Sequence, residues 1–231
     1  MTDPERTYSM LNMSSVSDLT ARARVRDAAI DLFGRVGFER ATVRDVATAA
    51  EVSPALVIHH FSSKDGLREA CDAHVTSLLF DKKHDLLAPG AAAAIRAWLA
   101  DFDQFRPLLR YIGRMLIDGS EVGRDLFAAF HEGTRLMLDE QAEAGILRDL
   151  PDRDAVAAYL TVFGLAPIIL QEHLASAFGV AEMTGEVYRR STLPLLDLYT
   201  NGLYADDRFL RLAAEAIGET PPGTADTGKD S

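Results

Sequence analysis

The sequence of 231 residues predicts an all-α fold, with a short N-terminal helical domain followed by a larger helical domain. Three observations predict it. Apolar residues recur with a period near 3.6 along nearly every segment. The interruptions fall at Pro or Gly, as at Pro89, Gly119, Gly145 and Gly179. Two short amphipathic segments between residues 42 and 61 each begin with a capping residue. No segment shows the strict alternation of a β-strand.

The first of the two short segments predicts a helix that Thr42 caps. Its apolar residues recur at i, i+3, i+4 and i+7 and form a single stripe, which consists of Val43, Val46, Ala47 and Ala50. Glu51 and Val52 follow directly and leave room only for a turn. This helix therefore places one face against a core.

The second short segment predicts a helix that begins at Ser53, with Pro54 at the first helical position. Val57 and Phe61 are four residues apart and bury one face. Four residues then point outward: Ala55, Leu56, Ile58 and His59. Outward apolar residues need a partner, and thymine methyl groups in the major groove, which a helix fits, would provide one. The pair predicts a DNA-binding helix-turn-helix.

Further residues around this pair complete a specific pattern. They are Ala28, Ala29, Leu32, Phe33, Gly37 and Phe38 before it, Thr42, Val46, Ala47, Val52 and Ser53 within it, and His60, Phe61, Ser63, Lys64 and Leu67 at its end. With these residues, the stretch from about Thr20 to Leu79 resembles the DNA-binding domain of the tetracycline-repressor (TetR/AcrR) family of bacterial transcription regulators. The resemblance implies a three-helix DNA-binding domain followed by a helical effector-binding and dimerisation domain.

The resemblance also implies roles for individual residues. Arg44 matches a position that reaches a base edge, four residues of the second helix match groove-facing positions, and His60 and Lys64 match phosphate contacts. With the two caps and Ile58, the predicted DNA-binding set is Thr42, Arg44, Ser53, Pro54, Ala55, Leu56, Ile58, His59, His60 and Lys64. Two residues depart from the family pattern: Ile58 replaces a Tyr, and Glu51 replaces a Gly and would need a positive φ. Both departures predict weaker DNA binding.

Some of these residues have a second interpretation. His60 could be a core histidine bonded to a backbone carbonyl, and Arg44 could be a solvated surface residue. Arg22, Arg24 and Arg26 lie near the start of the first helix, where the helix dipole disfavours cations. Either nearby phosphates or pairing with Asp27 would offset that effect.

The charge distribution divides the chain. The formal net charge is −11, which by itself argues against a nucleic-acid partner. Residues 19–87, however, contain ten Lys and Arg and ten Asp and Glu, so this part is neutral and the excess acid lies elsewhere. The asymmetry is consistent with separate DNA-binding and effector-binding domains.

Cysteine and hydropathy patterns bear on the compartment. Cys71 is the single cysteine, so no disulfide can form within the chain, and we expect a reducing cytoplasm. Residues 1–18 lack a basic start and an apolar run, so they predict a disordered arm rather than a signal peptide. The uncharged run from Ala155 to Leu170 is shorter than the roughly 20 residues that span a bilayer, and it predicts a buried helix without a membrane partner.

The rest of the chain predicts further helices. In order they are a connecting helix from Lys64 to about Leu87, one from Ala91 to Arg106, one opened by Pro107, one from Val122 to Ala144, one from Asp152 to about Phe178, one from Thr184 or Gly185 through Tyr204, and one from Asp206 to Ile217. The composition of residues 218–231 predicts a disordered tail. The predicted domains are therefore an arm (1–18), a DNA-binding domain (19–66), a ligand-binding and dimerisation domain (67–217) and a tail (218–231).

The resemblance implies a homodimer in which the helices 152–178 and 184–204 pair with their copies. An effector cavity is expected between helices of the larger domain. The candidate lining is Trp98, Phe102, Phe105, Tyr111, Met115, Phe127, Phe130, His131, Met137, Tyr159 and Phe163, with Glu132, Glu172 and His173 as further polar groups. Such stripes are also common in plain cores. Because basic residues are sparse there, the effector is expected to be apolar or cationic.

The sequence thus predicts a DNA-binding regulator, in most cases of this family a repressor, that binds a palindromic operator as a homodimer and is released by an effector. The resemblance suggests control of efflux or stress genes. No cofactor, metal site or enzyme active site is predicted: Cys71 and His74 lack a third group, and no Glu-x-x-His pair occurs. The alternative is a helical adaptor or co-regulator of the same fold that has lost specific DNA binding, for which Glu51 and Ile58 are the motive.

Overall fold

The computed structural model describes the backbone of residues 4–80, 100 and 102–219, with side chains for residues 20–79, 100 and 102–219. This part of the chain forms ten α-helices and no β-strand. They are α1 (Pro4–Val36), α2 (Val43–Ala49), α3 (Pro54–Phe61), α4 (Lys64–Phe80), α5 (Phe102–Ile117), α6 (Glu121–Glu143), α7 (Arg153–Ile169), α8 (Gln171–Ala177), α9 (Gly185–Asn201) and α10 (Arg208–Ile217). The predicted all-α fold is confirmed.

Helix α1 is longer than the sequence predicted. Its backbone is helical from Pro4, so residues 4–18 differ from the predicted disordered arm. Extending a helix that packing already holds adds a hydrogen bond per residue without a new nucleation cost, and Pro4 at the first position needs no N–H donor. Residues 1–3 of the predicted arm and residues 220–231 of the predicted tail lie outside the described residues.

The core of the N-terminal helices is built from apolar residues that are mostly four positions apart. Each of these residues is at most 6 % exposed, and they come from α1 (Val25, Ala29, Phe33), α2 (Val46, Ala47), α3 (Val57, Phe61) and α4 (Leu67, Cys71, Val75). In α1, α3 and α4 the i, i+4 spacing puts each set on one face of its helix. The apolar stripe predicted for the first short helix, and the pair Val57 and Phe61, are buried or partly buried in this core.

The same core continues into the larger domain. Tyr111, Ile112 and Met115 of α5 belong to the cluster that α1 to α4 form. Gly34 of α1 allows the close approach, since a Cβ there would lie 3.0 Å from the Tyr111 amide nitrogen. The packing therefore crosses the predicted domain boundary at residues 66 and 67, and α4 itself spans that boundary.

Two helix boundaries differ from the predictions. Pro107 lies inside α5 rather than at the start of a helix. Loss of one interior N–H is tolerated there because the preceding turn is held by tertiary contacts: Phe102 packs on the Tyr188 ring at 4.8 Å between centroids, and Arg106 forms ion pairs with Asp103 and Glu182.

The predicted helix from Asp152 to Phe178 is in fact two helices. α7 ends at Ile169 and α8 begins at Gln171, and their axes are bent by 77°. Pro167 has no backbone N–H to donate to the hydrogen bonds of the helix. The Ile168 carbonyl accepts a bond from the Gln171 side chain at 3.1 Å. The C-terminal part of the predicted helix therefore turns away at Leu170.

No single helix in the described ranges is long and apolar enough to cross a bilayer. The bent pair α7 and α8 reaches that length and apolar character only when its two parts are taken together. Of the predicted connecting helix, residues 64–80 form α4, and residues 81–87 lie outside the described residues. So do residues 91–99 of the helix predicted to follow it.

Candidate nucleic-acid interface

A capping box fixes the start of α2. The Thr42 hydroxyl oxygen accepts a bond from the Asp45 amide at 3.2 Å, and the Thr42 amide donates to the Asp45 carboxylate at 2.9 Å. The Thr42 hydroxyl also donates to the Asp45 carboxylate. This bond, followed by the one from the Thr42 amide, holds the pKa of Asp45 below its ordinary value. The predicted cap is confirmed. Thr42 therefore orders the helix that carries Arg44.

The turn between α2 and α3 contains a strained residue. Glu51 has φ = +55°, as its place in the turn predicted, and the following Val52 amide donates to the Ala47 carbonyl at 2.9 Å. A side chain at this backbone conformation costs roughly 1–2 kcal/mol relative to Gly. The tight turn therefore forms although Glu disfavours this backbone conformation.

Helix α3 presents one exposed face. The Ser53 hydroxyl oxygen accepts a bond from the Leu56 amide at 3.2 Å, and Pro54 lies at the start of the helix. Val57 and Phe61 are buried, while three of the four residues predicted to point outward are exposed: Ala55, Ile58 and His59. Pro54 is exposed as well. Leu56 is half-buried. The exposure pattern thus agrees with the sequence prediction except at Leu56.

The basic residues of the predicted interface differ in their freedom. Arg44 is exposed on α2. Lys64 is half-buried, with Nζ 3.4 Å from the Glu39 carbonyl and 4.2 Å from the centre of the Phe38 ring. His60 is half-buried, and its ring lies between those of His59 and Phe61. Arg44 is consequently the better placed of the three to meet a nucleic acid.

Arg22, Arg24 and Arg26 lie well inside α1, which begins at Pro4, so the unfavourable dipole expected near a helix start does not act on them. Arg26 pairs with Asp27 at 2.8 Å, as one of the two interpretations predicted. The Arg22 guanidinium lies over the Phe61 ring at 5.2 Å, and Arg22 and Arg24 are exposed. Arg22 therefore lies beside the end of α3.

The aromatic residues predicted to line an effector cavity do not converge. Tyr111 and Met115 are buried in the N-terminal cluster, and Phe102 is buried in a second cluster with Ala175, Met183 and Val187. Phe130 and His131 are half-buried, and the remaining described members are exposed: Phe105, Phe127, Met137, Tyr159 and Phe163. Trp98 lies outside the described residues. The predicted lining is therefore divided among two cores and the surface.

A cavity of about 480 Å³ lies elsewhere, between α1, α5 and the break from α7 to α8. Three arginines line it, Arg35, Arg110 and Arg114, together with Glu172 and His173, which the sequence had marked as possible ligand-orienting groups. The sequence analysis expected few basic groups near an effector, and this cavity does not fit that expectation. Arg35 of α1 and the two arginines of α5 come together only in the fold.

A polar network that the sequence analysis missed joins α4 to α5. The Tyr111 hydroxyl donates to Asp72 Oδ1 at 2.6 Å, and Arg68 forms ion pairs with Asp72 and Asp118. Burial raises the pKa of Asp72, and burial followed by the bond to Asp72 raises the pKa of Tyr111. The spacing of Arg68 and Asp72 at i, i+4 was the one available signal.

The possible nucleophile pair is inert. Cys71 is buried, its Sγ lies 3.7 Å from the Arg26 carbonyl, and burial raises the pKa of its thiol to about 12. Burial lowers the pKa of His74. Among the described side chains, no group of three or more His, Cys, Asp or Glu is arranged to hold a metal ion. Cys71 is therefore a packing residue.

Known proteins match this architecture along most of the chain. The family described as "Bacterial regulatory proteins, tetR family" matches residues 25–71, and the family "Tetracyclin repressor-like, C-terminal domain" matches residues 103–205. The HTH-type transcriptional regulatory protein RaaS of Mycobacterium tuberculosis is 36% identical over 92% of this chain and 99% of its own length. The HTH-type transcriptional repressor Rv3405c of the same organism is 33% identical over 73% of this chain and 83% of its own.

A solved structure shows the same fold. The TetR family protein CprB from S. coelicolor superposes with a TM-score of 0.54 and 20% identity, and the match covers 87% of this chain and 97% of that one. The sequence relatives are transcriptional regulators, which confirms the prediction of a regulator rather than an enzyme. The chain belongs to the TetR family of bacterial transcriptional regulators.

Proposed function

We propose that the protein is a homodimeric repressor that binds a palindromic operator and leaves it when a small-molecule effector binds. The exposed face of α3 is the observation that carries this proposal. Ile58 is 43 % exposed on a helix whose opposite face is buried, although burying such a side chain is favourable. A major groove with thymine methyl groups offers this face a partner.

In the proposed complex, α3 lies in the major groove and α2 crosses the backbone. Arg44 reaches a base edge, for which a guanine is the preferred partner. Arg22 and Arg24, with the amide groups at the starts of α2 and α3, contact phosphates and set the register. The half-buried His60 and Lys64 lie at the end of α3 and the start of α4 and support both helices. They contribute to DNA binding mainly through the positive charge of Lys64 and through the positions of the helices that they support.

The dimer is proposed from the exposed apolar residues of α7 and α9. Tyr159, Val162 and Phe163 recur on one side of α7 and are 48 to 66 % exposed. Leu193 and Leu196 of α9 are 75 and 55 % exposed. Apolar surface of this extent on two long helices is typical of an interface. A second copy would cover it and place two α3 helices for two half-sites about one turn of DNA apart.

The name of one relative supports repression. The M. tuberculosis protein that is 33% identical to this chain is described as a transcriptional repressor. In the proposed mechanism, the effector favours a conformation in which the two α3 helices no longer match the half-sites. The effector can shift the equilibrium only by its preference for that conformation, typically about 1–3 kcal/mol.

The alternative is an adaptor that keeps the fold without specific DNA binding. The strained Glu51 and the Ile58 in place of a Tyr favour it, since the first adds a negative charge near phosphates and the second removes a hydrogen-bond donor. Salt dependence separates the two functions, because binding through several phosphates weakens steeply as salt rises.

Fluorescence anisotropy tests the proposal. The full-length protein is titrated against duplexes tiled across its own upstream region at 50 and 200 mM salt, with Arg44→Ala as the test variant and Arg148→Ala as the control. Arg148 is exposed between α6 and α7, outside α2, α3 and the helices of the proposed dimer surface. We expect one tile to bind tightly, binding to weaken by about 10³-fold between the two salt concentrations, and Arg44→Ala to lose about 1–3 kcal/mol.

Equal, weak binding to all tiles by the wild type and both variants would contradict operator recognition within that region. A genome-wide binding selection with the same protein then decides between a distant operator and the adaptor. Recovery of no enriched sequence would favour the adaptor.

A further inference from the structure

The cavity between α1, α5 and the α7–α8 break is a half-open groove. Its volume of about 480 Å³ lies within the range of small-molecule sites, roughly 300–1,000 Å³. Gly34 and Gly113 form part of its floor, and the break at Leu170 forms one wall. The chain bends by 77° at that break.

The charged groups of the groove are unequally paired. Arg35 is paired with Asp31 at 2.9 Å, and Arg110 with Glu182 at 2.8 Å. Arg114 donates from Nε to the Gly34 carbonyl at 3.4 Å, and no carboxylate of the described residues lies within ion-pair distance of it. Glu172 and His173 are exposed at the opposite wall. Arg114 is therefore the cation in this groove that can take a new anionic partner.

The remaining lining is apolar. Ile117 and Leu170 are 57 and 51 % exposed, and Ile168 and Ile169 are half-buried between them. Such a surface next to an available guanidinium matches a molecule with an apolar chain and an anionic head group. A guanidinium binds a carboxylate or a phosphate through two parallel hydrogen bonds, which suits both head groups.

We propose that this groove binds a soluble amphipathic anion, a carboxylate or phosphate ester with an apolar chain, whose head group pairs with Arg114. This ligand is an anion, whereas the sequence analysis expected an apolar or cationic effector. The site lies against the N-terminal domain and not among the aromatic residues of α6 and α7.

The position of the groove gives such a ligand a route to the DNA-binding domain. A Cβ at Gly34 would lie 3.0 Å from the Tyr111 amide nitrogen, and one at Gly113 would lie 2.8 Å from the Ile168 carbonyl oxygen. α1, α5 and the end of α7 therefore touch backbone to backbone at the groove floor. A ligand bound above these contacts changes the position of α1 relative to α5. The effect of this change on operator binding rests on the proposed function.

Isothermal titration calorimetry on the full-length protein without DNA tests the site. The probes share a ten-carbon chain and differ in head group: decyl phosphate, decanoate, decanol and decyltrimethylammonium, each below its critical micelle concentration. We expect the two anions to bind and the alcohol and the cation to bind at least about tenfold more weakly, because only the anions pair with the guanidinium.

Two variants and a matched control assign the binding to the groove. Arg114→Gln is expected to weaken decyl phosphate binding by about tenfold, the loss of one charge-assisted pair. Glu172→Gln removes a carboxylate from the same groove and is expected to tighten binding. Arg124→Gln is the control, since Arg124 also bonds to a glycine carbonyl, at 2.7 Å from Gly119, and lies outside the groove.

Several outcomes would overturn the proposal. They are equal binding of all four probes, an Arg114→Gln variant that binds decyl phosphate like the wild type, and sedimentation with phosphatidylglycerol vesicles in the absence of binding to either soluble anion. Operator titrations with decyl phosphate follow as a separate measurement. Anion binding without operator binding would contradict the proposed function alone, and operator binding without anion binding would contradict this proposal alone.

Discussion

The N-terminal and C-terminal parts of the chain differ in how many of their large apolar side chains are exposed. Among the described residues, α1 to α4 and their turns leave only Val36, Ile58 and Leu78 as large exposed apolar side chains. In α9, by contrast, every residue from 192 to 201 is exposed, including four leucines and a tyrosine. The N-terminal helices α1 to α4 form a core with α5 within one chain. The C-terminal part leaves apolar surface exposed, and we propose that a second copy covers it.

This difference indicates which residues point to each part of the proposed function. In the N-terminal part, one apolar residue that stays outside, Ile58, stands out because the rest are buried, and it marks the proposed DNA-contacting face. In the C-terminal part, many large apolar side chains are exposed. Their position on α7 and α9, more than their number, marks the proposed dimer interface.

The contrast predicts different outcomes for two Phe→Ala substitutions. Phe33 is 2 % exposed and packs against Phe38 at 5.3 Å between ring centroids, so Phe33→Ala should destabilise the protein by about 3–5 kcal/mol. Phe163 is 55 % exposed, and Phe163→Ala should act through the dimer alone. Chemical denaturation at several protein concentrations measures both.

The control lies in the concentration dependence. The loss caused by Phe33→Ala should be the same at each concentration, while that of Phe163→Ala should vary with concentration because association stabilises the folded state by mass action. A large, concentration-independent loss for Phe163→Ala would contradict the contrast between the two regions.

Charges on the exposed face of α9 should separate the protomers. We expect Leu193→Glu with Leu196→Glu to convert the dimer to a monomer and to weaken operator binding by at least a hundredfold, about 2.8 kcal/mol. The reason is that each protomer would then bind a single half-site. Sedimentation velocity and operator anisotropy measure the two effects.

Ile146→Glu is the matched control, because Ile146 is 56 % exposed and follows α6, outside α7 and α9. It should leave both assembly and operator affinity unchanged. A monomer that still binds the operator as tightly as the wild type would show that the α7 and α9 surface serves another purpose.

The link between the two regions can be weakened at Tyr111. Tyr111→Phe removes the hydroxyl that donates to the buried Asp72, at an expected cost of about 1–3 kcal/mol at neutral pH. That bond lowers the pKa of Asp72 against the effect of burial, so the substitution should raise the folded-state pKa further.

An aspartate whose folded-state pKa exceeds the unfolded value contributes stability that is full below the unfolded pKa and is lost as pH rises through the folded pKa. The destabilisation by Tyr111→Phe should therefore be largest at neutral pH and shrink as the pH falls into the titration range of Asp72. Denaturation curves at a series of pH values measure this, with Tyr188→Phe as the control. An equal loss at all pH values would argue against the role assigned to Asp72.

The smallest effect concerns the strained turn. Glu51→Gly should stabilise the protein by about 1 kcal/mol or less, since Gly adopts φ = +55° without strain but loses more entropy on folding. Removal of the negative charge should also strengthen DNA binding. Glu69→Gly, at an exposed position inside α4, should instead destabilise by about 1 kcal/mol. Thermal melts compare the two, and equal destabilisation would contradict the strain argument.

Local sequence patterns predicted much of the N-terminal part. The Thr42 and Ser53 caps, the positive φ of Glu51 and the burial of Val57 and Phe61 all depend on interactions within a few residues, and the structure confirms them. The prediction that a helix begins at Pro107 was wrong, because the turn before it is held by contacts of Phe102 and Arg106 with residues more than 70 positions away. The predicted continuous helix from Asp152 to Phe178 was also wrong, although Pro167 was a local signal for the break at Leu170.

The predicted lining of the effector cavity also shows what local sequence patterns cannot predict. An aromatic residue at helical spacing can face a core, a cavity or solvent, and the sequence cannot choose among them. Tyr111 and Tyr159 were grouped as lining residues, yet the first is buried and the second is 66 % exposed. The arginines of the groove were missed because Arg35 and Arg114 are 79 positions apart in the sequence and meet only through the close contact at Gly34.

The sequence by itself determined the helical class, the caps and turn of the helix-turn-helix, and the family. These follow from periodicity, capping and backbone preferences, which act over at most a few turns of helix. The tertiary structure alone decided which faces are buried, how α1 touches α5, and where a charged groove opens. Those depend on which distant surfaces meet, and burial and electrostatic pairing are properties of the meeting surfaces and not of either segment alone.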